Sequence, residues 1–180
     1  MRDPLAGLWF VPLSVISVSA YCADYLTVSQ AQKAIFGEQA IFLESPLELS
    51  NDQRKAIKKA AGTRQRQQTQ AAWQVMGADG KLVGWFFVDD VIGKHEYISY
   101  ALGVSVAGEI LGMEIMSYRE SHGDEVREAS WREKFVGKHL GDPFKLDEDV
   151  PNISGATLSC RNLLDGAKRL LVIYDLYLQQ

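Results

Sequence analysis

The chain has 180 residues, 47% of them hydrophobic and 23% charged, with a formal net charge of -4. That length supports one domain with a sizeable core. A mildly acidic balance gives no electrostatic footprint for a nucleic-acid backbone and no basic run stands out, so no nucleic-acid partner is expected.

Residues 1–20 read differently from the rest. Met1-Arg2 supplies a short positive start, and Leu5 to Ala20 is nearly all apolar or small. The run, about 16 residues broken by Pro12, falls short of the roughly 20 needed to span a bilayer. Val18-Ser19-Ala20 places small residues where a signal peptidase reads, so residues 1–20 are expected to be a secretory signal. Residues 21–180 then form a single exported domain, periplasmic or otherwise extracytoplasmic. Cys22 and Cys160 show no framework spacing, and whether they pair stays open. His95, His122 and His139 are scattered without paired ligand spacing, so no metal site is expected.

Thr27 followed by Gln30 is a capping-box pattern and predicts a helix running to about Phe36, stopped by Gly37. Ser50 followed by Gln53 repeats it, with an apolar stripe over Ala56, Ile57, Ala60 and Ala61 and a stop at Gly62. The polar, Gln-rich stretch 63–70 reads as a loop. Strand patterns follow over 72–76 and 82–88, across Asp79-Gly80, and again over 97–104 and 110–116, across Ala107-Gly108. These make two hairpins, or about four antiparallel strands. A short helix is expected over Trp131 to Val136, stopped by Gly137. Leu164, Ala167, Leu171, Tyr174 and Leu178 recur at three and four and draw the apolar face of a long C-terminal helix. The fold class is α+β: a twisted antiparallel sheet with helices packed on it. Neither a dinucleotide fingerprint nor a Walker loop is present.

The C-terminal helix is expected to start at or just after Ser154-Gly155-Ala156-Thr157. Free N–H groups and the helix dipole favour a phosphate at such a start. Gly155 lets a ligand approach the backbone, and Thr157 and Ser159 add hydroxyls. Taken alone, this is equally the start of many ordinary helices.

Ile153-Ser154-Gly155-Ala156-Thr157-Leu158-Ser159 resembles the flavinylation motif of the FMN-binding domain family. That family includes the covalent-FMN subunits of the sodium-translocating NADH:quinone reductase and of the related ferredoxin-linked complex. The resemblance implies FMN bonded by a phosphoester to Thr157, placed there by a dedicated flavin transferase. A second segment agrees with it: Glu120 and Gly123 match the family's Glu-Thr-Pro-Gly loop, whereas Ser121 and His122 depart from it. The resemblance implies that this loop lies against the flavin, with Glu120 hydrogen-bonding the flavin or its linker. Gly93-Lys94-His95-Glu96 is similar to a subgroup of exported single-domain members associated with membrane electron-transfer proteins.

In that frame Lys94 is expected to place charge near the flavin, and His95 and His122 to contact the ring, or each to sit in a solvated turn. Trp131 either stacks near the flavin or packs in the core. Asn152 either orients the Thr157 linkage or caps the following turn. The function implied is an electron carrier with membrane or extracytoplasmic redox partners, more a relay than a stand-alone catalyst. Reversible FMN binding in a small reductase, and a secreted interaction module without flavin, remain the alternatives.

Overall fold

A computed structural model describes residues 23–179. The expected leader over residues 1–20, and Cys22, lie outside the described residues. The chain runs β1 (Ala23–Asp24), α1 (Val28–Phe36), β2 (Ile41–Glu44), β3 (Leu47–Glu48) and α2 (Asn51–Ala61). Four long strands follow, β4 (Thr69–Met76), β5 (Leu82–Ile92), β6 (Tyr97–Ser105) and β7 (Ile110–Tyr118). A 3-10 turn at Asp124–Arg127, α3 (Ala129–Arg132), another 3-10 turn at Glu133–Phe135 and α4 (Thr157–Tyr177) complete it.

All strand pairings are antiparallel, in the order β1-β7-β6-β5-β4-β2, with β3 also paired to β4. The two hairpins expected from sequence form the centre of this sheet. Three short strands were not expected: β1, β2 and β3. They lack the long alternating runs that announce a strand, and they form only because β4 and β7 offer unpaired edges. Thr69 and Gln70 likewise belong to β4, not to the preceding loop. The short helix over 131–136 is instead one α-turn followed by a 3-10 turn.

Both early helices start as their capping boxes require, with reciprocal Thr27–Gln30 and Ser50–Gln53 bonds. Alternation along the central strands sends side chains to two faces. On one face α1 covers Val75, Phe86, Ala101 and Met116. On the other, α2 and α4 cover the larger core of Phe87, Tyr100, Leu102, Leu163, Leu170 and Leu171. Gly166 lets α4 come close, since a Cβ there would meet the Tyr100 hydroxyl and Val91.

A polar cluster lies within this larger core. Asp89 on β5 faces Tyr100 on β6 across the ladder, and Tyr100 Oη donates to Asp89 Oδ2 at 2.8 Å. Arg169 of α4 donates to the same carboxylate and, through its other terminal nitrogen, to the Arg64 carbonyl at 3.2 Å. The Arg169 and Asp89 side chains are 9% and 3% exposed. Burial and the Asp89 charge push the Tyr100 hydroxyl well above its ordinary pKa, so it stays a donor. Removing one partner of such a pair strands a buried charge. Asp89→Ala should therefore cost about 3–5 kcal/mol, read from urea unfolding. An Asp89→Leu/Arg169→Met double variant should recover most of that loss.

Candidate functional site

The chain enters α4 through a tight turn. Ala156 N–H donates to the Ile153 carbonyl at 3.0 Å, and Gly155 sits third in the turn with φ 80°. That backbone is the type II pattern, which demands glycine there. Ser154 and Gly155 are exposed, and beyond its chain neighbours the only atom among the described residues near a Cβ built on Gly155 is His122 Cβ at 3.8 Å. Ala156 is the N-cap of α4 and offers no side-chain hydrogen bond to the first turn. The orphan amides of a 21-residue helix therefore lack a capping side chain. Thr157 is half-buried with no hydrogen-bond partner for its hydroxyl among the described residues, Leu158 is exposed, and Ser159 is buried.

The loop after β7 packs directly on this turn. Gly123 has φ 91°, and a Cβ on it would overlap the Ala156 methyl group. Tyr118 Oη donates to the His122 carbonyl and lies 3.4 Å from Ser159 Oγ, tying the loop to the first turn of α4. Ser121 Oγ lies 3.0 Å from His122 Nδ1, and both side chains are exposed.

Glu120 turns away from the helix start, toward the β5–β6 connection. Its Oε1 accepts from the amides of His95 at 2.5 Å and Glu96 at 2.9 Å, and its Oε2 lies 3.7 Å from His95 Nδ1. Gly93 leaves the room, since a Cβ there would run into the carboxylate. Burial raises the Glu120 pKa, but the amides of Glu96, His95 and Lys94 outweigh it and hold the group below the ordinary 4.5. Glu120 thus joins two loops and keeps both beside α4. Asn162 of α4 adds a third tie, donating to the Ile92 carbonyl at 2.6 Å.

The structure therefore gathers Lys94, His95, Glu120, Ser121, His122, Gly123, Ser154, Gly155, Ala156, Thr157, Leu158 and Ser159 at one end of α4. Trp131 is not on that surface. It is buried against Phe135 with ring centroids 5.1 Å apart, and its Nε1 donates to the Pro151 carbonyl at 2.8 Å. It thereby holds the segment leading into the turn. Asn152, next along that segment, is exposed with no side-chain hydrogen bond among the described residues. Among those residues no cluster of His, Cys, Asp and Glu is arranged to hold a metal ion.

A cavity of about 550 Å³ opens along the adjoining face of α4, lined among others by Ile92, Tyr97, Asn162, Asp165 and Arg169. Sequence reasoning passed over these residues. Their signal is the polar series Asn162, Asp165 and Arg169 at spacings of three and four, beside the apolar stripe of the same helix.

Residues 93–172 match the model of the FMN-binding domain family. The crystal structure of NqrC from Shewanella oneidensis is similar to this chain at a TM-score of 0.55 and 18% identity, covering 77% of this chain and 81% of that one. That likeness establishes a shared fold. No curated protein matches the chain.

Two measurements follow from the geometry. Gly123→Ala combines a forced left-handed backbone with overlap on Ala156. It should cost at least about 1–3 kcal/mol in urea unfolding, by strain and overpacking. Because folding lowers the Glu120 pKa, its stabilisation is complete above 4.5 and disappears as pH falls through the lower folded-state value. Glu120→Gln should therefore flatten that part of a plot of urea midpoint against pH.

Proposed function

Because residues 93–172 match the FMN-binding domain family, we propose that the chain is an exported electron carrier whose FMN is bonded through its phosphate to Thr157. The observation that supports the bond is the start of α4. Among the described residues, a hydroxyl with no partner of its own stands at a helix N-terminus whose amides no side chain caps. An ester phosphate on Thr157 Oγ1 would meet those amides and the positive end of the helix dipole. Gly155 keeps that approach clear of side chains.

Maturation falls to a flavin transferase. In that step the Thr157 oxygen bonds to the FMN phosphorus of FAD, AMP leaves, and the hydroxyl proton is lost. When bound, FMN supplies one- and two-electron chemistry; the protein sets its position and surroundings. Asn162 lies five residues beyond Thr157, about 7.5 Å along the helix axis. The cavity it lines falls in the size range of small-molecule sites, roughly 300–1,000 Å³. Ile92, Tyr97 and Asn162 are the residues that would hold the ring there, with two apolar side chains and an amide pinned to the Ile92 carbonyl. The exposed Lys94 supplies positive charge on the same loop. A carrier beyond the membrane gains from a tether, since released flavin would be lost. Its redox partners would be membrane or extracytoplasmic proteins. No helix among the described residues is long and apolar enough to cross a membrane.

Thr157→Val nearly preserves shape and removes only the nucleophilic oxygen. Co-expressed with a flavin transferase, the natural chain should keep its yellow colour after denaturation and gain the mass of one FMN ester. Thr157→Val should fold but carry no flavin after denaturation. Colour that survives in this variant would place the bond elsewhere, and colour lost from the natural chain to the filtrate would mean reversible binding. Cell fractionation with the export signal intact tests the location, and a cytoplasmic yellow protein would overturn it.

A further inference from the structure

Residues 51–70 carry six basic side chains, Arg54, Lys55, Lys58, Lys59, Arg64 and Arg66, against the single acid Asp52. That segment is +5 in a chain of net charge -4, which leaves -9 for everything else. Lys55, Lys58, Lys59, Arg64 and Arg66 are all exposed. Among the described residues only Lys55 has an acidic partner, Asp52 at 2.8 Å. Lys55, Lys58 and Lys59 fall within an arc of about 100° on α2, on the side away from its buried Ile57 and Ala61. Like charges three and four apart cost a helix a few tenths of a kcal/mol per pair. The α2 dipole accounts for Lys58 and Lys59 in the last turn, but not for Arg64 and Arg66 beyond it.

We propose that α2 and the strap 62–67 form a docking surface for an acidic protein, the redox partner that exchanges electrons at the neighbouring cavity. This rests on the electron-carrier reading. The location supports it, because Lys58, Arg64 and Arg66 line the same cavity as Tyr97 and Asn162. A partner drawn to these charges is brought to the cavity mouth. Charge complementarity of this kind chiefly speeds and orients encounter. A bilayer is the poorer fit. Surface-bound helices bury large apolar side chains among their cations, and no large hydrophobic residue from 44 to 82 is exposed. Nucleic acid would meet the repulsion of the remaining -9.

The test is an NMR titration of the isotope-labelled protein, carrying whatever flavin it holds, with flavodoxin as a small acidic redox probe. Amide shifts should cluster on residues 54–67 and the cavity wall. Affinity should fall about tenfold or more between roughly 20 and 200 mM NaCl, because exposed charges are screened. Lys55→Glu/Lys59→Glu, checked for folding by its thermal midpoint, should lower it at least as much. Absent binding, shifts on another face, or salt-insensitive binding would overturn the proposal. So would preferential binding of this face to vesicles with phosphatidylglycerol or to a DNA duplex. The readout does not need bound flavin, so failure of the Thr157 tether shows separately, as loss of colour on denaturation.

Discussion

Helix α4 carries the site, and its seating on the sheet depends on a charge buried together with its counter-charge. Arg169, about two turns beyond Asn162, reaches Asp89 on β5, while Tyr100 on β6 donates to the same carboxylate. A buried ion pair of this sort adds little net stability over well-packed apolar groups, but it tolerates very few alternative arrangements. A helix that slid or rotated would leave both charges without partners. The apolar stripe of α4 supplies most of the burial, and Gly166 allows the close approach. The same guanidinium holds the Arg64 carbonyl, so the strap after α2 is placed by the same contact.

From that anchored helix the site is assembled by loops whose own hydrogen bonds keep them together. Glu120 binds the backbone of the β5–β6 connection, Tyr118 binds the His122 carbonyl, and Gly123 presses on Ala156. Trp131 secures the segment entering the turn from below. These are positioning roles, filled mostly by side chains that bind the backbone of neighbouring loops. They leave the Thr157 hydroxyl and the first amides of α4 with no partner among the described residues. A helix start left open in this way costs stability, and an anion seated there would restore it.

Much of the fold was legible because its signals are local. The capping boxes at Thr27 and Ser50 and the turn at Asp79-Gly80 act within four residues of themselves. The short edge strands β1, β2 and β3 were not legible, since four or fewer residues show no period of their own. They exist because neighbouring strands offer hydrogen bonds. The motif residues of the site were found by resemblance, while the cavity residues Ile92, Tyr97, Asn162, Asp165 and Arg169 were missed. They come from two strands and one helix, and only packing α4 on β5 and β6 brings them together. Lys55, Lys58, Lys59, Arg64 and Arg66 had a readable signal in their local charge, hidden by a whole-chain average of the opposite sign.

By itself the sequence determined the two capped helices, the four central strands, the long C-terminal helix and the chemistry available at Ser154-Gly155-Ala156-Thr157. Each of these follows from periodicity, capping or side-chain type within a short window. Tertiary structure alone decided that Glu120 serves the Gly93–Glu96 loop, that Trp131 lies in the core, and that Gly123 closes on Ala156. These outcomes depend on contacts between residues far apart in the chain. For Glu120 the reason is electrostatic: a carboxylate only 7% exposed must find donors, and the nearest lie on the connection after β5.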